Sequence, residues 1–405
     1  MRILLIIMMI SIVTSCKKTD ETTEPEIDYK EFASFGAFIN KLESLADEPD
    51  TKRLTDFLDS LKAHNQIPYV KDDSVAFLYW GNATSVSWAG DFNEWDPTTT
   101  GYTGTKLGTK LFIMKQTFPK DARLDYKVVL NGSQWILDPA NKYTQYSGFG
   151  PNSELRMPDW VFPAETKLIQ GAGRGVLSEN LLIASNELNL GYDVQYKVYT
   201  PFGYDQLSDL PVIYVTDGHE YADDRLGSML IILDNLIHQQ RIEPVIAVFI
   251  DPRNPENNSS NRRMTEYAGN IRFVNFIADE LVPAIDSAFK TNSSAEARAI
   301  LGTSMGGWNS AYTGIKRSDK FGLIGIHSPA FNNAVIQDYE QSELLPLKIY
   351  MSTGVINDTQ EKARQMKAVM LNKGYELSYT EVNQGHSWGN WRALIDEPLI
   401  FFFGK

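Results

Sequence analysis

Hydrophobic positions fall into three successive patterns along the chain. Residues 30–64, "KEFASFGAFINKLESLADEPDTKRLTDFLDSLKAH", carry apolar side chains at helical spacing in two runs. Phe32, Phe35, Phe38, Ile39 and Leu42 make the first; Leu54, Phe57, Leu58 and Leu61 make the second. The break at "DEPD" predicts a helical hairpin over 31–70, too short to hold a core of its own, so it packs on the neighbouring strands. From about residue 73 the pattern becomes short aromatic and β-branched runs: "SVAFLYWG", "SVSWAGDFNEW", "KLFIMKQTF", "LDYKVVLNG" and "SQWILDP". Gly, Asn, Asp and Pro separate them, which predicts a small antiparallel, immunoglobulin-like β-sandwich over 73–160. The Asn-Gly pair in "VLNGSQW" is a hairpin signal. From about 165 onward, continuous apolar runs alternate with long helical stretches. The runs are "LPVIYVTDG", "EPVIAVFIDP", "ARAILGTSMGG", "FGLIGIHSP" and "LKIYMSTG"; "RFVNFIADELVPAIDSAF" and "TQEKARQMKAVMLNKG" are helical. This predicts an α/β doubly wound, mostly parallel sheet covered on both faces over 165–405.

Sites in such sheets lie beyond the carboxyl ends of the strands. Those ends here read "TDGHEY", "FIDPR", "GTSMGG", "IHSPAF" and "STGVIND". In the third, an apolar strand runs into Gly302-Thr303-Ser304-Met305-Gly306 and then a helical stretch, the pattern of a nucleophile elbow. A serine nucleophile needs a base, and the chain has five histidines. In this fold the partners come in the order Ser, acid, His. His64 and His238 lie in helical stretches and read as surface residues. His327 ends the next strand and reads as a pocket-lining residue. His386, in "EVNQGHSWGNWR" after the last strand, is the candidate base. Asp358 in "GVINDTQE" is the candidate acid; it stands equally where a helix cap would, and Glu361 is the fallback. The oxyanion donors expected are the Met305 N–H and a backbone N–H of Gly218 or His219.

Composition narrows the classes. The 405 residues carry 51 acidic and 38 basic side chains, a net charge of −13, which excludes a nucleic-acid binder with its basic face. One cysteine excludes a disulfide framework and a cysteine zinc site, and serine chemistry calls for no metal or cofactor. "MRILLIIMMISIVTSC" has one arginine, an apolar run too short to span a bilayer comfortably, and small residues before Cys16. It resembles a bacterial lipoprotein signal peptide over 1–15. That implies lipidation at Cys16 and a polar tether over 16–30. The expected location is the cell envelope, with the membrane as partner through the lipid.

"PVIYVTDGHEY", "VFIDPRN", "RMTEYAGNIRFVNFIADELVPAID", "ILGTSMGGWNSAY" and "TEVNQGHSWGNWR" resemble the esterase family that holds enterochelin esterases, S-formylglutathione hydrolases and carbohydrate esterase family 1. The resemblance runs from roughly Leu177 to the C-terminus. It implies an α/β-hydrolase fold and a Ser304–Asp358–His386 triad. It gives Arg263 and Glu266 of "RMTEY" a structural part, as an ion pair or cap. "VSWAGDFNEWDP" and "LDYKVVLNGSQWILDPANK" resemble carbohydrate-binding module family 48 over about 74–158. That resemblance implies glycan binding by Trp95, Trp135, Lys127 and Asn152, or else packing of the same tryptophans in a module that shapes the catalytic mouth. The loop "TTTGYTGTKLGTK" (98–110) is the candidate to overhang that mouth. The expected function is hydrolysis of acyl or feruloyl esters on plant polysaccharide. The alternatives are a siderophore esterase of the enterobactin type, drawing on Arg225, Arg262 or Arg263, and a non-catalytic glycan-binding surface lipoprotein.

Overall fold

The computed structural model describes residues 32–405; the expected signal peptide, Cys16 and the tether lie outside them. Two helices come first, α1 (Phe35–Ala46) and α2 (Lys52–Ala63). Ser34 caps α1 by accepting the Ala37 N–H at 3.1 Å. The apolar stripes of the pair share a core with Ala76, Leu78, Leu111 and Ile113 of a neighbouring sheet, so the hairpin is held by that sheet.

The sheet runs β1 (Tyr69–Lys71), β2 (Ser74–Trp80), β5 (Leu111–Thr117), β4 (Thr105–Leu107). A second sheet lies against its other face, in the order β3 (Val86–Gly90), β6 (Arg123–Leu130), β9 (Gly150–Arg156), β8 (Thr144–Ser147), with β7 (Gln134–Ile136) beside β6. Pairing within both is antiparallel. Val75 and Phe77 of β2 point into the core between the sheets, with Trp88 and Tyr126; Ala76 and Leu78 point at the helices. Covering both faces of β2 is why "VAFL" is apolar without alternation.

The run "SVSWAGDFNEW" departs from the expected strand. β3 stops at Gly90, and Asp91–Asn93 form a tight turn, with Glu94 and Trp95 left-handed at φ 54° and 62°. Asn93 drives this: its side chain accepts the Gly90 N–H and donates to the carbonyls of Trp88 and Asp96. Loop 98–110 also departs from expectation. It folds back on the two front sheets, β4 pairing with β5 and Tyr102 stacking at 5.2 Å on Phe92 in the turn after β3, and none of it lines the catalytic cleft.

The remaining chain builds one large sheet. Its order is β10 (Val176–Leu177), β12 (Asp193–Thr200), β14 (Ile246–Asp251), β13 (Val212–Val215), β17 (Arg298–Thr303), β18 (Leu323–His327), β19 (Lys348–Gly354), β20 (Glu376–Val382); β11 (Leu181–Ala184) pairs with β12. A ribbon, β15 (Arg253–Asn254) and β16 (Asn257–Asn261), stands apart. Strands β14 through β20 run parallel in the sheet, and β12 joins antiparallel to β14. Ile300 of β17 enters one buried cluster while Ala299 and Leu301 enter the other, so both faces are covered. Strand order reverses around β13 and β17, the place where α/β sheets open a crevice.

Candidate active site

Ser304 sits at that reversal, between β17 and the helix Met305–Lys316. Its backbone, at φ 56° and ψ −116°, lies in a region that costs a non-glycine residue on the order of 1–3 kcal/mol. The surroundings hold it there. Its N–H donates to the His327 carbonyl at 2.9 Å, and its own carbonyl accepts the N–H groups of Trp308 and Ala330. A Cβ on Gly302 would strike the Gly306 backbone and Thr216 Oγ1, and one on Gly306 would strike the same hydroxyl. The two glycines are therefore required by close approach.

His386 leaves the loop after β20 with Nε2 2.9 Å from Ser304 Oγ. Its Nδ1 is 2.6 Å from Asp358 Oδ1, and the Asp358 side chain is 0% exposed. Asp358 Oδ2 accepts the Gly354 N–H and the Ser328 hydroxyl, each at 2.6 Å. The helix beyond it opens at Gln360 with Thr359 in the cap position, so the Asp358 carboxylate is turned to the imidazole and not to the helix. Glu361 is exposed on that helix. Trp391 meets the His386 ring edge to face at 4.9 Å. This order of groups can pass the Ser304 proton to His386 while the carboxylate fixes the ring's tautomer.

The Met305 N–H opens one helix and those of Gly218 and His219 open another, Gly218–Tyr221; first-turn N–H groups have no partner within their helix. Their neighbours Ser304, Asp217 and Glu220 line the cleft. The His219 ring is half-buried against Asp251, 3.4 Å away, and that desolvation drives it down to about 4.

The cleft above Ser304 has a volume of about 610 Å³. The central sheet contributes Asp217, Arg263, Ser304, His386 and Trp388; the front sheets contribute Asp91, Trp95, Lys127, Trp135 and Phe149. Phe149 tips the β8–β9 hairpin and is 100% exposed. Asp91 is buried, and that burial, with Asp125 beside it, raises its carboxyl to about 8. Arg263 is tied to Asp217 by two contacts of 2.9 Å.

The family model described as "Putative esterase" matches residues 185–402, more than half the chain. The chain belongs to this esterase family. An uncharacterized Bacillus subtilis protein, YjcH, is 28% identical over 230 residues, covering 53% of this chain and 92% of its own length. The endo-1,4-beta-xylanase/feruloyl esterase of Xylanibacter ruminicola is 30% identical over 139 residues, 32% of this chain and 19% of that protein. Among solved structures, the Shigella flexneri enterobactin esterase FES overlays with a TM-score of 0.66 at 18% identity, over 81% of this chain and 92% of its own.

In this esterase the four residues expected as glycan ligands do not form a separate face. Trp95, Lys127, Trp135 and Asn152 all line the cleft that holds Ser304. Trp135 is 43% exposed; the Trp95 indole N–H is 3.3 Å from Asp91 Oδ1; Asn152 is buried on Asp125. His327 is a correction. It does not line the cleft but is fully buried between Ser352 Oγ, at 2.7 Å, and Tyr350, and burial lowers it to about 3. Arg263 and Glu266 do not pair with each other: Glu266 takes the Tyr192 hydroxyl at 2.8 Å. His238 is exposed, and His64 is half-buried at the end of α2. Ser328, Trp391 and Phe149 were not singled out from the sequence. Ser328 had a signal, since it lies in the strand-end stretch "IHSPAF".

Proposed function

We propose that this esterase is a serine carboxylic-ester hydrolase for acyl or feruloyl esters on plant polysaccharide. The observation that carries the reading is the Ser304–His386–Asp358 hydrogen-bond chain at the floor of an aromatic-walled cleft. Ser304 Oγ attacks the ester carbonyl as His386 Nε2 takes its proton. The N–H of Met305 and that of Gly218 or His219 receive the oxyanion. The intermediate collapses, the alcohol leaves with the proton from His386, and an acyl-serine remains. Water, deprotonated by His386, releases the acid.

The polysaccharide part rests on Trp95, Trp135 and Phe149, whose faces suit sugar or phenolic rings, and on the likeness to a feruloyl esterase. We read the front sheets as an immunoglobulin-like, carbohydrate-binding-module-like unit serving as the cleft wall, and Cys16 as a lipid anchor. A siderophore triester is the second reading, favoured by the fold shared with enterobactin esterase. The charge arrangement supports the first. Arg225 is paired with Asp223, Arg262 lies over Tyr192 and Arg263 is neutralised by Asp217, so these three arginines offer an anionic ligand no free cluster. Release of ferulate from feruloylated arabinoxylan, against turnover of a ferric catecholate triester, separates the two. Ferulate release with little triester turnover is expected, and the reverse ratio overturns the substrate assignment. A protein that hydrolyses neither these nor p-nitrophenyl acetate would be the non-catalytic glycan binder instead.

A further inference from the structure

The loop that carries His386 is gripped from outside the central sheet. The Arg123 N–H, where β6 begins, donates to the Asn383 carbonyl at 3.3 Å, and Arg123 pairs with Gln384 in a parallel bridge. The Asn383 side chain donates to Asp121 at 2.7 Å. Gly385 lies so close to Asp91 that a Cβ would collide with that side chain. The acid's side is tied as well: Asn357, one residue before Asp358, donates to the Asp91 carbonyl at 2.9 Å.

The centre of this grip is the Arg123 guanidinium, 0% exposed. It binds Asp125 at 2.5 Å and Glu154 at 2.7 Å, and its third arm reaches Ser387 Oγ at 3.1 Å, 264 positions away in sequence. Gly389 lies flat against it with no room for a Cβ. Ser387 stands before the helix Trp388–Arg392, yet its hydroxyl caps no helix N–H. Burying ions costs desolvation that their mutual attraction often only matches, so stability alone is a weak reason to keep this cluster dry. Fixed geometry is a better one, because an arginine fork held by two carboxylates has one orientation for its remaining donors.

We propose that Arg123 is a positioning residue for ester hydrolysis: clamped by Asp125 and Glu154, it sets the His386 loop through Ser387 and Gly389, making the front sheets a working part of the catalytic centre. This rests on the reading of His386 as the base. A catalytic group displaced by about 1 Å from a distant change can cost up to about 10²-fold in rate.

The test uses the full chain and p-nitrophenyl acetate, a substrate too small to depend on the aromatic wall. Ser387→Ala should lower kcat roughly tenfold with KM little changed. It should slow fluorophosphonate labelling of Ser304 in parallel and weaken the low-field proton signal of the His386–Asp358 bond. Ser387→Thr, which keeps the hydroxyl, should restore most of each. Arg123→Lys should lose more than Ser387→Ala; should it fail to fold, the Ser387 pair decides. Hydrolysis lost in Ser304→Ala but intact in Ser387→Ala, with unchanged labelling, overturns the positioning role alone. Hydrolysis that survives Ser304→Ala overturns the catalytic reading and this one with it.

Discussion

The floor and the wall of the cleft are built differently. The floor comes from loops at the ends of β17, β19 and β20, and each reactive group stands within a few residues of a strand end. The wall comes from β6, the β8–β9 hairpin and the turn after β3, and its ordering groups reach across the molecule, as Arg123 does to Ser387. The floor holds one hydrogen-bonded chain with both carboxylate oxygens of Asp358 committed. The wall holds exposed rings above buried ions. The difference teaches how the proposed roles divide: on that reading the floor carries the reaction, and the wall selects the ester and steadies the floor's histidine.

The largest expected effect breaks the floor. Ser304→Ala should lower kcat by about 10⁶ for every ester tested, with an unchanged thermal midpoint, measured by initial rates and calorimetry. Asp358→Asn should cost about 10⁴ in kcat, while Glu361→Gln costs almost nothing. A larger loss in the Glu361 variant would reassign the acid. Wall changes should be smaller and selective. Trp135→Ala with Phe149→Ala should raise KM for a feruloylated oligosaccharide about tenfold, equal to about 1.4 kcal/mol, and leave p-nitrophenyl acetate untouched. Equal losses on both substrates would merge wall and floor into one unit.

The last effect is on stability and concerns the wall's buried acid. The folded chain raises Asp91 from 3.8 to about 8 and Glu266 from 4.5 to about 7. The native state therefore keeps protons that the unfolded chain has released, and stability falls as pH rises toward these values. His219 and His327, lowered to about 4 and about 3 from 6.5, act with the opposite sign, but only below 6.5. Between pH 6.5 and 8 the carboxyls act alone. The thermal midpoint should decline over that window, and Asp91→Asn should flatten the decline. A midpoint that rises there would reverse the assignment.

The elbow was legible in the sequence because its geometry is local: strand, glycine, serine, glycine and helix lie within one short stretch. Asp358 and His386 were legible by their order after strand ends, although only the three-dimensional arrangement turns Asp358 away from the cap position. The turn at Asp91–Asn93 was not, because its aromatic neighbours look like strand and its direction is set by one asparagine side chain. His327 was misread because a strand-end histidine can point along the crevice or back into the core, and periodicity does not distinguish the two. The Arg123 cluster was not legible, because only Asp125 stands near it in sequence, two residues along β6, while Glu154 and Ser387 lie 31 and 264 positions away.

The most direct test of the central claim is to label the full chain with a fluorophosphonate during ester turnover and map the adduct by peptide mass spectrometry. One adduct, on Ser304, appearing in step with complete loss of hydrolysis, is the predicted result. Full activity with Ser304 unmodified, or an inactivating adduct on another residue, would contradict it.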